Sequence, residues 1–249
     1  MDADSVPSLV SSCMKVTAST IEGVTICGPE TPEFEPALVE ILGRAPRELL
    51  RPALPFSVIV ENISIRAIAL LGVRFDMVGA RAKQYSVVHY ADTLRNPEKA
   101  ELRPGAKRFV CAEPAYTSLV LRGEAVANTR GRMNLDNLRR MLQIKASLDC
   151  VAFDDGEFQG PDSQGALERF TNESAAEKAL LVQVLELQEA SISAIERILF
   201  EAVQDPEERG RRTVARRLIE GLEAGGRDEL LARTRAWRCR TALFSPAAV

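Results

Sequence analysis

Hydrophobic residues recur at every second position through the middle of the chain, and at every third or fourth position through its last third. Phe56, Val58 and Val60 alternate with Ser57 and Glu61. The run from Arg66 to Gly79 follows as a longer, almost wholly apolar strand of the kind buried on both faces. "QYSVVHYAD" and "KAELRPGAKRFVCAE" read as further strand segments, the second turned by Arg103-Pro104-Gly105. "TSLVLRG" and "MLQIKASLDCVAF" complete about six strands. In the last, Leu142, Ile144, Ala146, Leu148 and Cys150 alternate strictly with Gln143, Lys145, Ser147 and Asp149, which predicts one dry face and one wet one. With no helical period between these strands, the pattern predicts an antiparallel sandwich.

The flanks differ. "MKVTASTIEGVTICG" supplies one or two strands, and "TPEFEPALVEILGR" predicts a short helix. Thr31 can cap that helix, Pro32 suits its first position, and Phe34, Leu38, Ile41 and Leu42 share a stripe. After Asp162 the spacing is helical throughout, with Leu180, Leu181, Val184, Ile192, Ile195 and Leu199 on one stripe. A helix continuous from Ser163 would reach ~60 Å at 1.5 Å per residue; a break near Thr171–Ser174 is the alternative. Asp205-Pro206-Glu207-Glu208 predicts a new helix start, Gly225-Gly226 its stop, and Asp228 the start of a last helix. The expected organisation is a strand-and-helix segment over 1–53, a β-sandwich over 54–162 and an α-helical region over 163–249, an α+β chain overall.

"SVIVENISIRAIALLGVRF" followed by "LRPGAKRFV" resembles bacterial immunoglobulin-like and fibronectin-III-like sandwich domains, over residues 54–160. In those domains a V-x-N-x-S strand end precedes a long apolar strand, and a Leu-x-Pro-Gly turn introduces a later one. The resemblance implies an immunoglobulin-like antiparallel β-sandwich that presents loops for binding. It implies no catalytic residue, since function resides in sites and not in folds.

Composition narrows the function classes. The net charge of −3 and 27% charged residues argue against a polyanionic partner for the whole chain. Acidic neighbours dilute the basic run "ERGRRTVARRLIEGL", so no nucleic-acid partner is expected. Aromatic residues make up 5%, too few for a stacking platform. No apolar run has the length of a membrane span and no secretory leader is visible, so a cytoplasmic protein without membrane contact is expected. The five cysteines have no zinc spacing; Cys111 and Cys150 lie in strand-like runs that a disulfide could join. His89 is the single histidine and has no nucleophile motif around it. No glycine-rich phosphate cradle is present, and no cofactor is expected.

Two features carry functional expectations. The segment "DCVAFDDGEFQGPD", Asp149 to Asp162, gathers five carboxylates around two glycines. Asp155-Gly156 predicts a two-residue type I′ hairpin that sets Asp154 opposite Glu157, and Asp162 or Ser163 is placed to cap the following helix. Asp154, Asp155, Glu157 and Asp162 are therefore candidate ligands for Ca²⁺ or Mg²⁺, although the segment departs from the known Ca²⁺ loop. The stripe of Leu181, Val184, Ile192, Ile195 and Leu199 is the candidate surface for a protein partner or self-association. The leading expectation is a non-enzymatic interaction or scaffolding protein. A small-ligand, glycan or Ca²⁺-binding sandwich is the alternative, and an enzyme built on carboxylates the second alternative.

Overall fold

A computed structural model of the chain describes residues 14–43, 47–94, 101–121, 129–186, 192–205 and 208–240. It is a mixed α and β structure with two open sheets. Strands β1 (Met14–Val16), β2 (Val24–Cys27), β3 (Ser57–Asn62), β4 (Ile68–Val78), β5 (Gln84–Asp92), β6 (Lys107–Cys111), β7 (Gln143–Phe153) and β8 (Phe158–Gln159) divide between them. The larger sheet runs β1-β7-β4-β5, with β8 beside the far end of β7; the smaller runs β2-β3-β6. Residues 14–27 therefore contribute a strand to each sheet.

The strands from Ser57 to Cys111 fall where the period of two places them. β4 and β5 pair antiparallel from Leu70↔Asp92 to Val78↔Gln84, and β3 pairs with β6 from Ser57↔Cys111 to Glu61↔Lys107. Gly105 takes φ +74° in the turn before β6, a left-handed value that glycine adopts without steric cost. Two findings depart from an all-antiparallel sandwich. β1 runs parallel to β7, with Met14 opposite Ile144. Between β6 and β7 the chain forms helices, because Pro114 opens α3 (Pro114–Leu121) where "TSLVLRG" predicts a strand. Its Tyr116 is buried and donates to the Leu49 carbonyl at 2.8 Å, so tertiary packing overrides β-propensity there. α4 (Thr129–Arg139) follows and buries Leu135 and Leu138.

One apolar cluster draws side chains from both sheets, among them Val58 and Val60 of β3, Val73 and Phe75 of β4, and Ile144 and Val151 of β7. Against β3 and β6 packs α1 (Phe34–Leu42), burying Phe34, Ala37, Leu38 and Leu42 in the same cluster, and a short α2 (Arg47–Leu50) follows it. α1 begins later than its sequence cap suggests. The Thr31 hydroxyl donates to the Gly28 carbonyl, and the Thr31 carbonyl accepts from the Phe34 N–H, so Thr31 closes a turn ahead of the helix.

The predicted long helix is two helices, α5 (Ala166–Glu186) and α6 (Ile192–Gln204), and α5 runs unbroken through Thr171–Ser174. Both pack on a third run, α7 (Arg209–Arg240), which Gly226 interrupts at φ +69°, at the predicted stop. Asp205 accepts from the Glu208 N–H at 3.4 Å just before α7, while Pro206 and Glu207 of that predicted start lie outside the described residues. Leu181, Val184, Ile195 and Leu199 are buried in the core these helices form, together with Val214 and Leu218. The stripe is thus occupied by the chain's own helices.

Cys27, Cys111 and Cys150 are free thiols. Cys111 lies in the cluster that both sheets share and Cys150 in a separate one on the opposite, outer face of the larger sheet, so the two are not bridged. That outer cluster also holds Ala69, Leu70 and Ala152, and is covered by Ala166 and Phe170 of α5. Strand and helix meet there. No described helix is long and apolar enough to cross a membrane.

Candidate functional site

Strict alternation along β7 would set Asp149 on the wet face and Cys150 on the dry one. The chain does otherwise. Gly72 pairs with Cys150 and Val73 with Leu148, so Asp149 is the extra residue of a β-bulge. The bulge shifts the side-chain sequence by one, so Leu148 stays in the inner cluster while Cys150 moves to the outer one. Asp149 and Cys150 then lie side by side, and both are 0% exposed.

The chain returns over this point after β8. The Asp149 carbonyl accepts from the Asp162 N–H at 3.2 Å, and its carboxylate Oδ1 accepts from the Ser163 N–H at 3.2 Å. Gly160, at φ +115°, lies so close that a β-carbon there would collide with the Asp149 backbone. Asp162 sits at φ +49°, in the left-handed region that aspartate tolerates better than most residues. Its carboxylate caps α5, accepting from the N–H groups of Ala166 at 2.5 Å and Leu167 at 3.1 Å. The expected cap is therefore Asp162, and making it brings a second carboxylate to the bulge.

Ligating atoms of Asp149, Cys150 and Asp162 all lie within 4.8 Å of one another. Gly72 opposite makes the room, since a β-carbon there would meet Cys150 Sγ at 2.7 Å and the Tyr90 ring at 3.0 Å. Two oxygens in this neighbourhood, Asp149 Oδ2 and the Tyr90 hydroxyl, are buried and have no hydrogen-bond partner among the described residues. A buried carboxylate oxygen left so is costly, because it has exchanged water for nothing.

Electrostatics point the same way. Burial, then the carboxylates of Asp149 and Asp162, push the Cys150 thiol up to about 12, with Arg169 opposing. Burial, then Cys150 and Asp149, push the Tyr90 hydroxyl up to about 12. Arg169 lies over the Tyr90 ring, 4.7 Å from its centre. Arg74, which also feels Asp149, is paired with Asp76 at 2.8 Å. Beyond Arg169 a groove of about 460 Å³ opens between α5 and α7, lined by Glu168, Asn172, Arg209 and Thr213.

The hairpin acids are placed differently. The turn is not type I′: Gly156 alone takes positive φ, and Phe153 pairs with Glu157 through a three-residue loop. Asp155 and Glu157 converge on Arg66, at 2.9 and 2.5 Å, and Arg66 also lies over the Phe153 ring at 3.8 Å. Arg66 comes from the β3–β4 connection, so Glu157, predicted to lie opposite Asp154, is paired with a cation. Asp154 is fixed through its backbone N–H, which donates to Ala67 at 2.8 Å. Of the four predicted cation ligands, only Asp162 joins such a cluster; it is half-buried there, and its companions are the buried Asp149 and Cys150. Of the predicted partner surface, Leu181, Val184, Ile195 and Leu199 are core residues; the Ile192 side chain lies outside the described residues.

His89 is half-buried, with Nε2 3.0 Å from the Ala112 carbonyl and its ring against Phe75. Burial, opposed by that carbonyl, holds its pKa below the ordinary histidine value. No family model matches this chain, and no curated protein or solved structure matches it.

Proposed function

We propose that this chain is a non-enzymatic binding protein that seats a small cationic ligand where β7 meets the start of α5. The observation that carries this reading is the Asp149 carboxylate, wholly buried with one oxygen lacking a partner. Folding removes a charge from water and answers only half of its hydrogen-bonding capacity, an arrangement that a bound cation completes. The second carboxylate at Asp162 and the groove beside Arg169 support a ligand seat at this joint. Protein contact through the α5–α6 stripe is the weaker reading, because its described side chains already pack against α7.

Thermal unfolding of the full chain against a panel of divalent cations, polyamines and small primary amines tests this. At least one member should raise the midpoint of the wild type and leave Asp149→Asn unmoved. A panel that shifts neither protein, or both equally, would overturn the reading.

A further inference from the structure

We infer that Asp149, Cys150 and Asp162 form a binding site for a thiophilic divalent cation of the zinc class. This rests on the reading of the joint as a cation seat and adds the chemistry of the cation. Hard cations such as Ca²⁺ and Mg²⁺ take oxygen donors almost exclusively, and a sulfur among three clustered donors is wasted on them. Zinc accepts cysteine sulfur and aspartate oxygen together, usually in sets of four. Here the three donors are grouped within 4.8 Å of one another. The fourth position is open to water or to the Tyr90 hydroxyl, which is buried beside them without a partner.

The placement depends on three separate devices in the fold. The bulge turns Asp149 and Cys150 to the same face. Gly72 clears space above the thiol, and the left-handed Asp162 brings its carboxylate back over the strand. Asp162 also caps α5, so the same residue that starts the helix supplies the third donor.

Charge supports the assignment. The groups facing the thiol are Asp149 on β7, Tyr90 on β5, Asp162 before α5 and Arg169 on α5, with Arg74 on β4 paired to Asp76. With the thiol protonated, the two carboxylates outweigh Arg169 by one negative charge. A dication that displaces the thiol proton to solvent leaves two carboxylates and one thiolate balanced by the metal and Arg169. The metal–sulfur bond replaces the sulfur–hydrogen bond, and no redox partner is involved.

The test is titration of the metal-free full chain with Co²⁺, followed by displacement with Zn²⁺. One equivalent of Co²⁺ should produce a thiolate-to-cobalt charge-transfer band that Zn²⁺ abolishes, and Zn²⁺ uptake should release one proton near neutral pH. Cys150→Ser and Cys150→Ala should lack the band while unfolding cooperatively. Asp149→Asn, which replaces a ligand itself, should weaken Zn²⁺ binding by at least the roughly 10–100-fold that loss of an outer-shell partner costs. A band that survives in both Cys150 variants, or Co²⁺ binding without a band, would overturn the inference. Binding of Ca²⁺ or Mg²⁺ that Asp149→Asn abolishes, with no thiolate band, would overturn the zinc-class assignment and leave the cation seat standing. Failure of every cation and amine on the wild type removes both.

Discussion

Between Asp149 and Asp162 the chain holds two groups of carboxylates with opposite circumstances. Asp155 and Glu157 lie on a hairpin within reach of water, and Arg66 satisfies them both. Asp149 and Asp162 lie at the root of the same hairpin, where a bulge and a left-handed residue draw them together against a thiol. At the surface, ion pairs add little and water screens whatever repulsion remains. In the interior there is no such screening, and an unanswered oxygen keeps its full desolvation cost. Equal charge density in a sequence therefore carries different meaning according to depth.

The largest effect belongs to a carboxylate that no neighbour supports. Leu199→Asp, in the helical core, is expected to cost more than about 4 kcal/mol in urea unfolding. It should loosen the bundle without dispersing an assembly; an unfolded fraction that tracks protein concentration would instead return the stripe to an interface. Asp149→Asn comes next and has the reverse sign. In cation-free buffer it should stabilise the chain by about 1–2 kcal/mol, because the amide keeps the acceptor used by Ser163 and removes the buried charge. Asp155→Asn should change stability by no more than ~0.5 kcal/mol. Equal responses of the two variants would erase the contrast between the two groups.

Acid titration separates the remaining contributions. The pKa of His89 is depressed, so the unfolded chain takes up a proton first, and stability falls as pH drops below about 6.5 toward the folded value. His89→Gln should remove this step from a plot of melting temperature against pH. Asp155, through the Glu157 N–H and then Arg66, and Glu157, through Arg66 and then Gln159, are both held below the usual carboxylate range. Their stabilisation is complete above that range and is lost as pH falls through the depressed values, below about pH 4. This step should be the smallest, should shrink in high salt, and should be reduced in Arg66→Met, which leaves the Glu157 N–H and Gln159 in place.

Much of the fold was legible in the pattern of apolar residues. The period of two marked β3 through β6 and most of β7, and the longer period marked the three helical runs, since both record which side of an element meets the core. The parallel pairing of β1 was not legible, because Met14–Val16 is too short to declare a partner. At 114–121, Thr117, Val120 and Leu121 suit a strand as readily as a helix, and only the burial of Tyr116 reveals the choice made. The candidate site was half legible. Asp162 was marked by its place before a helix, whereas Asp149 and Cys150 were read as neighbours on opposite faces. A bulge depends on how the partner strand registers, which one strand's sequence does not record; Gly72 opposite Cys150 was the available signal.

X-ray absorption at the zinc edge, on the full chain loaded with one equivalent of Zn²⁺, addresses the buried site most directly. One sulfur at about 2.3 Å, with oxygen donors near 2.0 Å, is the expected first shell, and the sulfur should vanish in Cys150→Ser. A shell of oxygen and nitrogen alone, or a sulfur that persists in that variant, would contradict the assignment of Asp149, Cys150 and Asp162 as the site.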